Sequence, residues 1–342
     1  MTDHIYWKDG SLYVLDQREL PFKKVYVRCK GLADAAKAIE NMTVRGAPLI
    51  GIVAAYGVAL GVREIVKTKG PCSRADVERI GRRLQKTRPT AVNLAWALER
   101  MKAIFEASES DPDIVDVMTE EAISIHVEDI ENNRMLSLYG AELIDDGDII
   151  LTHCNAGALA TGGYGTALGV IRAAHESGKR IKVLATETRP YMQGARLTVW
   201  ELSQEGIPVE LIPENHVGFL SANRGFSKVI VGADRIALNG DTANKIGTYM
   251  IALCAHQYRI PFYIAAPVAT FDRLSESGSC IPIEERDGNE VKYLQGKLLT
   301  VKDVEARYFS FDITPAKYIT NFITEKGIVE RPFKKYIKMI FP

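Results

Sequence analysis

Small polar and titratable side chains follow three apolar, strand-like runs in the middle of the chain. Cys154, Glu187 and Asp234 each stand within three residues of the end of one of these runs. In an open parallel α/β sheet, ligands bind in the crevice beyond the carboxyl ends of the strands. A thiol and two carboxyl groups at those ends are therefore expected to face one cleft, and this pattern is typical of an enzyme.

Two arginines stand immediately before candidate helices. Arg45 precedes a glycine, an alanine and then Pro48, which falls in the first turn of one helix. Arg88 precedes Pro89 and Thr90 ahead of another helix. A helix N-terminus beside a guanidinium binds phosphate through the helix dipole and through bidentate hydrogen bonds. Either arginine by itself also fits an exposed residue at a turn, but the two together favour an anionic ligand.

A glycine-rich segment before a further helix imitates a dinucleotide-binding motif. Gly163 and Gly165 have the spacing of its first two glycines, and Glu187 follows at the distance of the ribose-binding acid. The third glycine position holds Leu168, however, and a long loop replaces the tight turn between strand and helix. We therefore expect a phosphate-binding or loop role for these glycines rather than nicotinamide binding.

Plainer structural roles stay open for the other candidate site residues. Cys154 would more often be a small buried hydrophobe than a reactive thiol, although its position after a strand favours function. Asp234 could pair with the adjacent Arg235, while Asn244 and Lys245 could cap and solvate the start of a helix. No Ser-His-Asp order can be assigned, so the residue types predict an α/β enzyme that handles a phosphorylated small molecule.

Composition and charge argue against several classes of protein. The 342 residues suffice for about two domains, and 43 basic against 43 acidic residues favour neither nucleic acid nor an anionic membrane. Five scattered cysteines without CxxC spacing argue against disulfides or a zinc site and for a reducing cytoplasm. The first residues lack a basic segment before an apolar one, so no signal peptide is predicted. The uncharged run 46–62 contains four glycines and a proline, which favours a buried helix over a membrane span.

The periodicity of apolar residues changes once along the chain, at the polar segment 145–148. Before it, alternating runs at 11–16 and 24–28 predict a small antiparallel sheet, and helical periodicity follows near 32–42, 48–67, 74–86, 90–107 and 113–143. After it, short strands alternate with helices, which predicts a parallel sheet. These strands are expected near 149–153, 181–185, 208–212, 228–232 and 261–265. The predicted fold class is α/β, with a mainly helical N-terminal domain over 1–145 and a parallel-sheet domain over 146–342.

Three local signals mark the ends of helices. Ser73 is expected to cap the third helix, and Gly178 is expected to end the helix after the first parallel strand. Asp312 followed by Pro315 predicts the start of a final helix.

Eight segments distributed along the chain are together similar to the methylthioribose-1-phosphate isomerase family. In chain order they are TVRGAP at 43–48, RPTAVNL at 88–94, THCNAG at 152–157, ETRPYMQGARL at 187–197, GADRIA at 232–237, NGDTANKIGT at 239–248, IPIEER at 281–286 and FDITP at 311–315. These motifs are long, ordered and specific, and on them the chain is identified as a member of that family.

The resemblance implies a Rossmann-like C-terminal domain, a smaller helical N-terminal domain, and a homodimer that acts on a sugar phosphate without a metal or an organic cofactor. The implied reaction converts 5-methylthioribose 1-phosphate to 5-methylthioribulose 1-phosphate in methionine salvage. In the family pattern Cys154 and Asp234 are the catalytic pair. The residues that hold the substrate in that pattern are Arg45, Gly46, Ala47, Arg88, Gln193, Asn244 and Lys245.

The implied chemistry accounts for the types of the two catalytic residues. A sugar phosphorylated on its anomeric oxygen cannot open freely to an aldehyde, so a general acid must assist ring opening, and Asp234 suits that role. Cys154 then either moves a proton from carbon 2 to carbon 1 through an enolate, or helps to shape an apolar pocket for a direct hydride shift. The sequence leaves both routes open.

One segment departs from the family pattern and bears on the substrate. After the strand that ends near 212, the family has Asp-Asn followed by small residues and Met, whereas this chain has Glu214, Asn215 and His216. Relatives act on 5-deoxyribose 1-phosphate, which is the main alternative substrate, or on ribose 1,5-bisphosphate, whose second phosphate a carboxylate at 214 is expected to oppose. Regulatory subunits of the translation-initiation exchange factor share the fold, but they generally lack the residues that match Cys154 and Asp234. We therefore expect an enzyme.

Overall fold

The computed structural model describes residues 3–341, which form two compact units. The first unit contains the chain up to Asn133 together with Ala158–Gly165, and the second contains Arg134–Gly157 and the chain from Thr166 onward. The second unit, which contains the parallel sheet, therefore begins at Arg134, earlier than the expected boundary between 145 and 146. A division into domains at that boundary stays a prediction.

A three-stranded antiparallel sheet and a set of helices make up the first unit. Its strands, paired in chain order, are β1 (Ile5–Lys8), β2 (Ser11–Leu15) and β3 (Tyr26–Cys29). Its helices are α1 (Leu32–Glu40), α2 (Ala47–Lys69), α3 (Arg74–Gln85), α4 (Val92–Ala107) and α5 (Ile114–Ala141), the last of which continues into the second unit. The five predicted helices and both predicted strands are confirmed, with ends that agree within two residues, and β1 adds a strand that was not predicted.

Helix α2 forms the core of the first unit. Every residue from Leu49 to Val62 is buried. By length and composition α2 could cross a membrane, yet 78% of its most apolar stretch is buried inside the structure. Gly51 permits this burial, because a Cβ there would lie 2.7 Å from the carbonyl oxygen of Asn93 on α4. The prediction of a buried helix over 46–62 is confirmed.

A seven-stranded sheet forms the centre of the second unit. The strands of this unit are β4 (Ile149–Thr152), β5 (Lys182–Thr186), β6 (Val209–Ile212), β7 (Lys228–Val231), β8 (Arg235–Ile236), β9 (Thr242–Lys245), β10 (Phe262–Ala265), β11 (Glu285–Arg286), β12 (Tyr293–Leu294), β13 (Lys297–Leu298), β14 (Tyr308–Phe309), β15 (Phe311–Thr314), β16 (Asn321–Thr324) and β17 (Gly327–Val329). The order across the main sheet is β17-β16-β10-β7-β4-β5-β6, and all neighbours run parallel except the antiparallel edge strand β17. The five predicted parallel strands are confirmed within one residue at each end.

The central strands of the main sheet are short and mainly apolar because helices and loops cover both faces of a parallel sheet. β7 and β10 are buried throughout. The helices of this unit are α6 (Ala167–Glu176), α7 (Val199–Gln204), α8 (His216–Ala222), α9 (Thr248–Gln257), α10 (Asn289–Lys292) and α11 (Phe333–Ile340). A parallel sheet of this kind confirms the predicted α/β class.

The strand order places a topological switch point between β4 and β7. From β4 the chain proceeds outward through β5 to β6, and it then returns to the other side of β4 to form β7 and the strands beyond it. The connections on the two sides of this point lead away from each other, so a crevice opens at the carboxyl ends of β4 and β7. Any ligand of this sheet is expected there.

Two of the three predicted helix-end signals are confirmed. The Ser73 hydroxyl accepts a hydrogen bond from the Asp76 N–H, and the Asp76 carboxylate accepts one from the Ser73 N–H, which caps α3. Gly178 follows the end of α6 with φ of +87°, a conformation that glycine adopts readily.

The prediction that a final helix starts at 312–315 is wrong. Phe311–Thr314 is strand β15, which pairs antiparallel with β9 in a small sheet completed by β8. Pro315 precedes a single 3-10 turn, and the last helix begins at Phe333. Asp312 does cap a helix, but that helix is α9: its carboxylate accepts hydrogen bonds from the N–H groups of Gly247 and Tyr249. The local pattern identified the capping residue and assigned it to the wrong helix.

Candidate active site

Cys154 and Asp234 occupy the two sides of the switch point of the main sheet. Cys154 is the second residue after β4, and Asp234 is the third residue after β7. β4 and β7 are hydrogen-bonded neighbours, with Leu151 opposite Val229. The sheet therefore brings the two predicted catalytic residues to the same crevice, as the strand-end pattern predicted.

The backbone of Cys154 is held on both sides in a conformation that most side chains avoid. Its φ is +64°. The Cys154 N–H donates to Oγ1 of Thr188 at 2.9 Å, and the Cys154 carbonyl accepts from Oγ1 of Thr198 at 2.6 Å. A left-handed conformation at a non-glycine residue costs free energy and is typical of functional sites. The thiol is partly exposed, so it is not a core packing residue.

His153, beside the cysteine, ties this loop to the second unit's small sheet. It is buried, its Nδ1 lies 2.6 Å from Oγ1 of Thr186, and its Nε2 lies 2.9 Å from the carbonyl oxygen of Ile246. A carbonyl oxygen can only accept, so Nε2 carries the proton and Nδ1 accepts from the threonine hydroxyl. Burial lowers the pKa of His153 to about 4, and the ring is therefore neutral at physiological pH. We assign His153 a structural role.

Asn244 and Lys245 end strand β9 and are buried, not solvated at a helix start. Asn244 donates to Oγ1 of Thr248 at 3.1 Å. The Lys245 ammonium lies 3.4 Å from the Tyr308 hydroxyl and 4.7 Å from the ring centroid of Phe311. A cation enclosed by aromatic rings has lost much of its hydration, which strengthens its attraction for an anion.

Asp234 is joined to the same strand, because its N–H donates to the carbonyl oxygen of Ala243 at 2.9 Å. Ala243 is paired with Arg235 in the small antiparallel sheet. Arg235 in turn forms an ion pair with Asp272 at 3.2 Å. The turn after β7 thus brings Asp234 beside the strand that carries Asn244 and Lys245.

Gln193 presents a buried acceptor without a protein partner. The residue is 3% exposed, and its Oε1 has no hydrogen-bond partner among the described residues. Leaving such an atom unpaired costs about 1–3 kcal/mol, so a ligand that donates a hydrogen bond is expected at this point. The next residue must be Gly194, since a Cβ there would lie 1.7 Å from the carbonyl oxygen of Thr186. This close approach sets Gln193 against the carboxyl end of β5.

An ion-pair network lies beneath the cysteine loop. Arg172, on α6, is 2% exposed and pairs with Glu201 at 2.7 Å and with Glu205 at 2.5 Å. Asn155 donates to the same Glu201 carboxylate at 2.8 Å and to Oγ1 of Thr198 at 3.1 Å. Asn155 is thereby bound to Glu201 on α7 and, through the ion pair of Glu201 with Arg172, to α6.

The predicted phosphate-binding residues of the first unit surround the starts of two neighbouring helices. Arg45 is buried, and Gly46 has φ of +104° with space for no side chain, because a Cβ would lie 2.6 Å from Ala160. Ala47 begins α2, and Arg88 lies in the loop that leads to α4. Because α2 packs closely against α4, both arginines stand near adjacent helix N-termini within this unit.

The glycines that imitate a dinucleotide motif have a packing role. A Cβ at Gly163 would contact Ile130, and the N–H of the preceding Gly162 donates to the Asp129 carboxylate at 2.6 Å. A long loop separates β4 from α6, so the tight turn of a dinucleotide site is missing. Gly163 and Gly165 lie in this loop, as expected, and phosphate binding by them stays a prediction.

Two threonines that hold the cysteine loop were not predicted, and a third contact comes from Glu214, for which a different role was predicted. Thr186 and Thr188 bind the backbone and ring around the cysteine, and Glu214 accepts a hydrogen bond from the Thr188 N–H. Glu214 was expected to face the substituent on carbon 5 of the sugar, and that role stays a prediction. The threonines lie within a strand end and its loop, where nothing in the local sequence distinguishes them from packing residues.

Comparison with known proteins agrees with this fold and site. Residues 43–331 match the model of the initiation factor 2 subunit family. The structure superposes with a TM-score of 0.87 on a structure described as translation initiation factor eIF-2B, subunit delta, from A. fulgidus, with 41% identity over 99% of this chain and 100% of that chain. The chain belongs to the initiation factor 2 subunit family.

Similarity is higher still to a set of enzymes within this fold. The methylthioribose-1-phosphate isomerase of Pelotomaculum thermopropionicum is 51% identical over 99% of this chain and 94% of its own length, and that of Thermotoga maritima is 52% identical over 99% and 98%. The structure of 5-methylthioribose 1-phosphate isomerase from Pyrococcus horikoshii OT3 gives a TM-score of 0.90 at 42% identity, covering 99% of this chain and 95% of that chain. Within the family, the chain belongs with the methylthioribose-1-phosphate isomerases.

Proposed function

We propose that the protein isomerises 5-methylthioribose 1-phosphate to 5-methylthioribulose 1-phosphate. The observation that carries this proposal is the position of Cys154 and Asp234 on either side of the switch point of the sheet. It occurs in a chain that is 51% identical, over 99% of its length, to a protein named for this activity.

Asp234 acts as the general acid that opens the sugar ring. Its carboxyl group gives a proton to the ring oxygen while the bond between that oxygen and carbon 1 breaks. The ring oxygen becomes a hydroxyl group, and the electron deficiency at carbon 1 is shared with the oxygen of the phosphate ester. The hydrogen bond between the Asp234 N–H and Ala243 supports this role, because it anchors the residue at the edge of the crevice.

Cys154 carries hydrogen between the two reacting carbons. The thiolate takes the proton from carbon 2 to form an enol, and the thiol returns it to carbon 1. The hydroxyl on carbon 2 gives its proton to the Asp234 carboxylate as the ketone forms, which restores both residues without an outside oxidant. In the alternative, the hydrogen moves from carbon 2 to carbon 1 as a hydride, and Cys154 lines the pocket.

A substrate with deuterium on carbon 2 separates these routes. In ordinary water, a thiol that has taken up the deuteron exchanges it with solvent while the enol is bound, so transfer through the thiol puts some hydrogen on carbon 1 of the product. A hydride shift keeps the deuterium there. Mass spectrometry of the product measures the ratio directly.

The polar groups beside this pair hold the sugar and its phosphate. The unpaired Oε1 of Gln193 suits a sugar hydroxyl as donor, and the buried Lys245 ammonium suits the negative charge of the substrate, with Asn244 beside it. By the family pattern, Arg45, Gly46, Ala47 and Arg88 are the residues proposed to bind phosphate. Helix N-termini and guanidinium groups are the usual partners of phosphate.

Substrate choice is tested by one comparison. We expect kcat/KM to be highest for 5-methylthioribose 1-phosphate, lower for 5-deoxyribose 1-phosphate and lowest for ribose 1,5-bisphosphate. A higher value for the 5-deoxy sugar would assign the protein to the disposal of 5-deoxyribose by the same chemistry.

A second candidate function follows from the likeness to the A. fulgidus structure described as a subunit of eIF-2B. A regulatory subunit would bind partner proteins without converting a sugar. Incubation with each of the three sugar 1-phosphates decides between the two, because a ketose product identifies an enzyme.

We also propose a cytoplasmic homodimer. All five cysteines are free thiols, which suits a reducing compartment. Exposed apolar side chains on α8 and α9, namely Phe219, Met250 and Leu253, are available to a second copy of the second unit. Light scattering on the purified protein measures the mass of the particle and thereby tests the dimer.

A further inference from the structure

The loop that carries Cys154 is connected to Glu214 through one intervening residue. The Cys154 N–H donates to the side-chain oxygen of Thr188, and the N–H of Thr188 donates to Oε1 of Glu214. Cys154 follows β4, Thr188 follows β5 and Glu214 follows β6, so the chain of contacts crosses three adjacent strand ends. Glu214 stands two residues before α8 and is partly buried.

Thr188 has a conformation that requires support from outside its own segment. Its φ is +62°, and a β-branched residue with positive φ is an outlier. Cys154 has the same kind of conformation, with φ of +64°. Residues persist in such regions when surrounding contacts determine them. For Thr188, which is fully buried, the hydrogen bond to Glu214 is such a contact.

We propose that Glu214 is a positioning residue for the isomerisation: its carboxyl group fixes the Thr188 turn, and Thr188 fixes the backbone of Cys154. This inference rests on the proposed function, because it assigns the thiol a place in the reaction. Glu214 does not act on the substrate in this role.

The surroundings of Glu214 fit a hydrogen-bond acceptor for backbone groups. Burial, assisted by the neighbouring Glu187 carboxylate, raises the pKa of Glu214, while hydrogen bonds from its own amide and those of Thr188 and Arg189 lower it. A carboxyl group that accepts from several amides holds the loop after β5 as a unit. Because the task is acceptance, a neutral carboxamide oxygen performs it as well.

The first test substitutes residue 214 in the full-length protein. Glu214→Ala should lower kcat by at least roughly tenfold with KM changed less than about threefold, since misplacing a reacting group affects the chemical step. Glu214→Gln keeps an acceptor oxygen and should stay within about threefold of the wild-type kcat. The matched control is Glu210→Ala, which removes an exposed carboxylate on β6 that pairs with Lys182 and should leave both constants unchanged.

A readout independent of activity follows the thiol itself. The rate at which iodoacetamide alkylates Cys154, measured by peptide mass spectrometry on the native protein, should rise at least about threefold in Glu214→Ala, because the loosened loop exposes the sulfur. It should be unchanged in Glu214→Gln and Glu210→Ala. If the wild type converts none of the sugar phosphates while this dependence on residue 214 persists, the proposed reaction fails and the positioning of Cys154 stands.

A second pair of variants tests the intermediate contact should Glu214→Ala not fold. Thr188→Val keeps the shape of the side chain and removes the oxygen that binds Cys154, so it should lower kcat as Glu214→Ala does. Thr188→Ser keeps that oxygen and should retain most of the activity. Normal kcat and alkylation rate in either Glu214→Ala or Thr188→Val would overturn the proposal, as would equal losses in the Ala and Gln variants at 214.

Discussion

The carboxylate of Asp312 accepts a hydrogen bond from the N–H of Gly247 at 2.7 Å. A second hydrogen bond, from the N–H of Tyr249, completes the cap of α9. This cap lies next to Asn244 and Lys245 in the chain, so it fixes where strand β9 gives way to the helix. Burial nevertheless raises the pKa of Asp312 to about 6, against these two hydrogen bonds and the nearby Lys245, which lower it.

The raised pKa of Asp312 predicts a dependence of stability on pH. Because the folded pKa is above the ordinary value of 3.8, the folded state binds the proton more tightly than the unfolded state. The contribution of this group is fully present below the ordinary value and is lost as pH rises through about 6. The Tm of wild type minus that of Asp312→Asn should therefore fall between pH 4 and pH 7. Parallel Tm curves for the two proteins would contradict this.

The catalytic pair gives a prediction for turnover. Cys154→Ala and Asp234→Asn should each lower kcat by at least about 100-fold, the usual effect of removing a positioned acid or base. Folding should survive, because both residues stand in loops beyond strand ends. Near-normal turnover by either variant, with a matching circular dichroism spectrum, would remove that residue from the mechanism.

The two arginines give a prediction for substrate binding. Arg45→Ala or Arg88→Ala should weaken binding by about 1.5–3 kcal/mol, the value of a charge-assisted hydrogen bond, and lysine should restore only part because the bidentate fork is lost. Arg82→Ala serves as the control, since that side chain is 67% exposed on α3. Calorimetric titration measures the difference. If a neutral sugar competes as well as its phosphate, the assignment of these arginines is wrong.

The buried ion pairs beneath the cysteine loop give a prediction for stability. Arg172→Ala leaves the Glu201 carboxylate buried without its cation and should reduce the free energy of unfolding by about 3–5 kcal/mol. Arg180→Ala removes an ion pair with Asp146 in which the arginine is 86% exposed, and its effect on the free energy of unfolding should be much smaller, because solvent screens the pair. Urea unfolding of the two variants tests the contrast, and equal effects would mean that the network adds little.

The sequence predicts those parts of this fold that depend on local periodicity. The runs 149–151 and 229–231 are continuous and apolar, and Cys154 and Asp234 follow them within three residues. The order of these strands in the sheet, by contrast, is known only from the structure. The strand ends mark Cys154 and Asp234 as candidates, and their catalytic roles stay a prediction.

The remaining parts depend on contacts between distant segments. The local sequence around Lys245 predicts a solvated residue. In the structure, the pairing of β15 with β9 places Phe311 over its ammonium group. Asp312 has the pattern of a local helix cap, yet its partners are some sixty residues earlier in the chain. Thr188 and Glu214 acquire their roles from the packing of neighbouring strand ends, which a single sequence does not encode as a motif.

The switch point between β4 and β7 also determines at what stage of folding the proposed active site forms. The chain makes β5 and β6 between these two strands, so their pairing closes a long loop and belongs to the slow, non-local part of folding. The proposed catalytic pair, Cys154 and Asp234, follows these two strands, so neither half of the proposed site is complete before β4 and β7 pair. Enzymatic activity recovered during refolding is therefore a measure of the completed central sheet, and it should lag behind the return of helical circular dichroism.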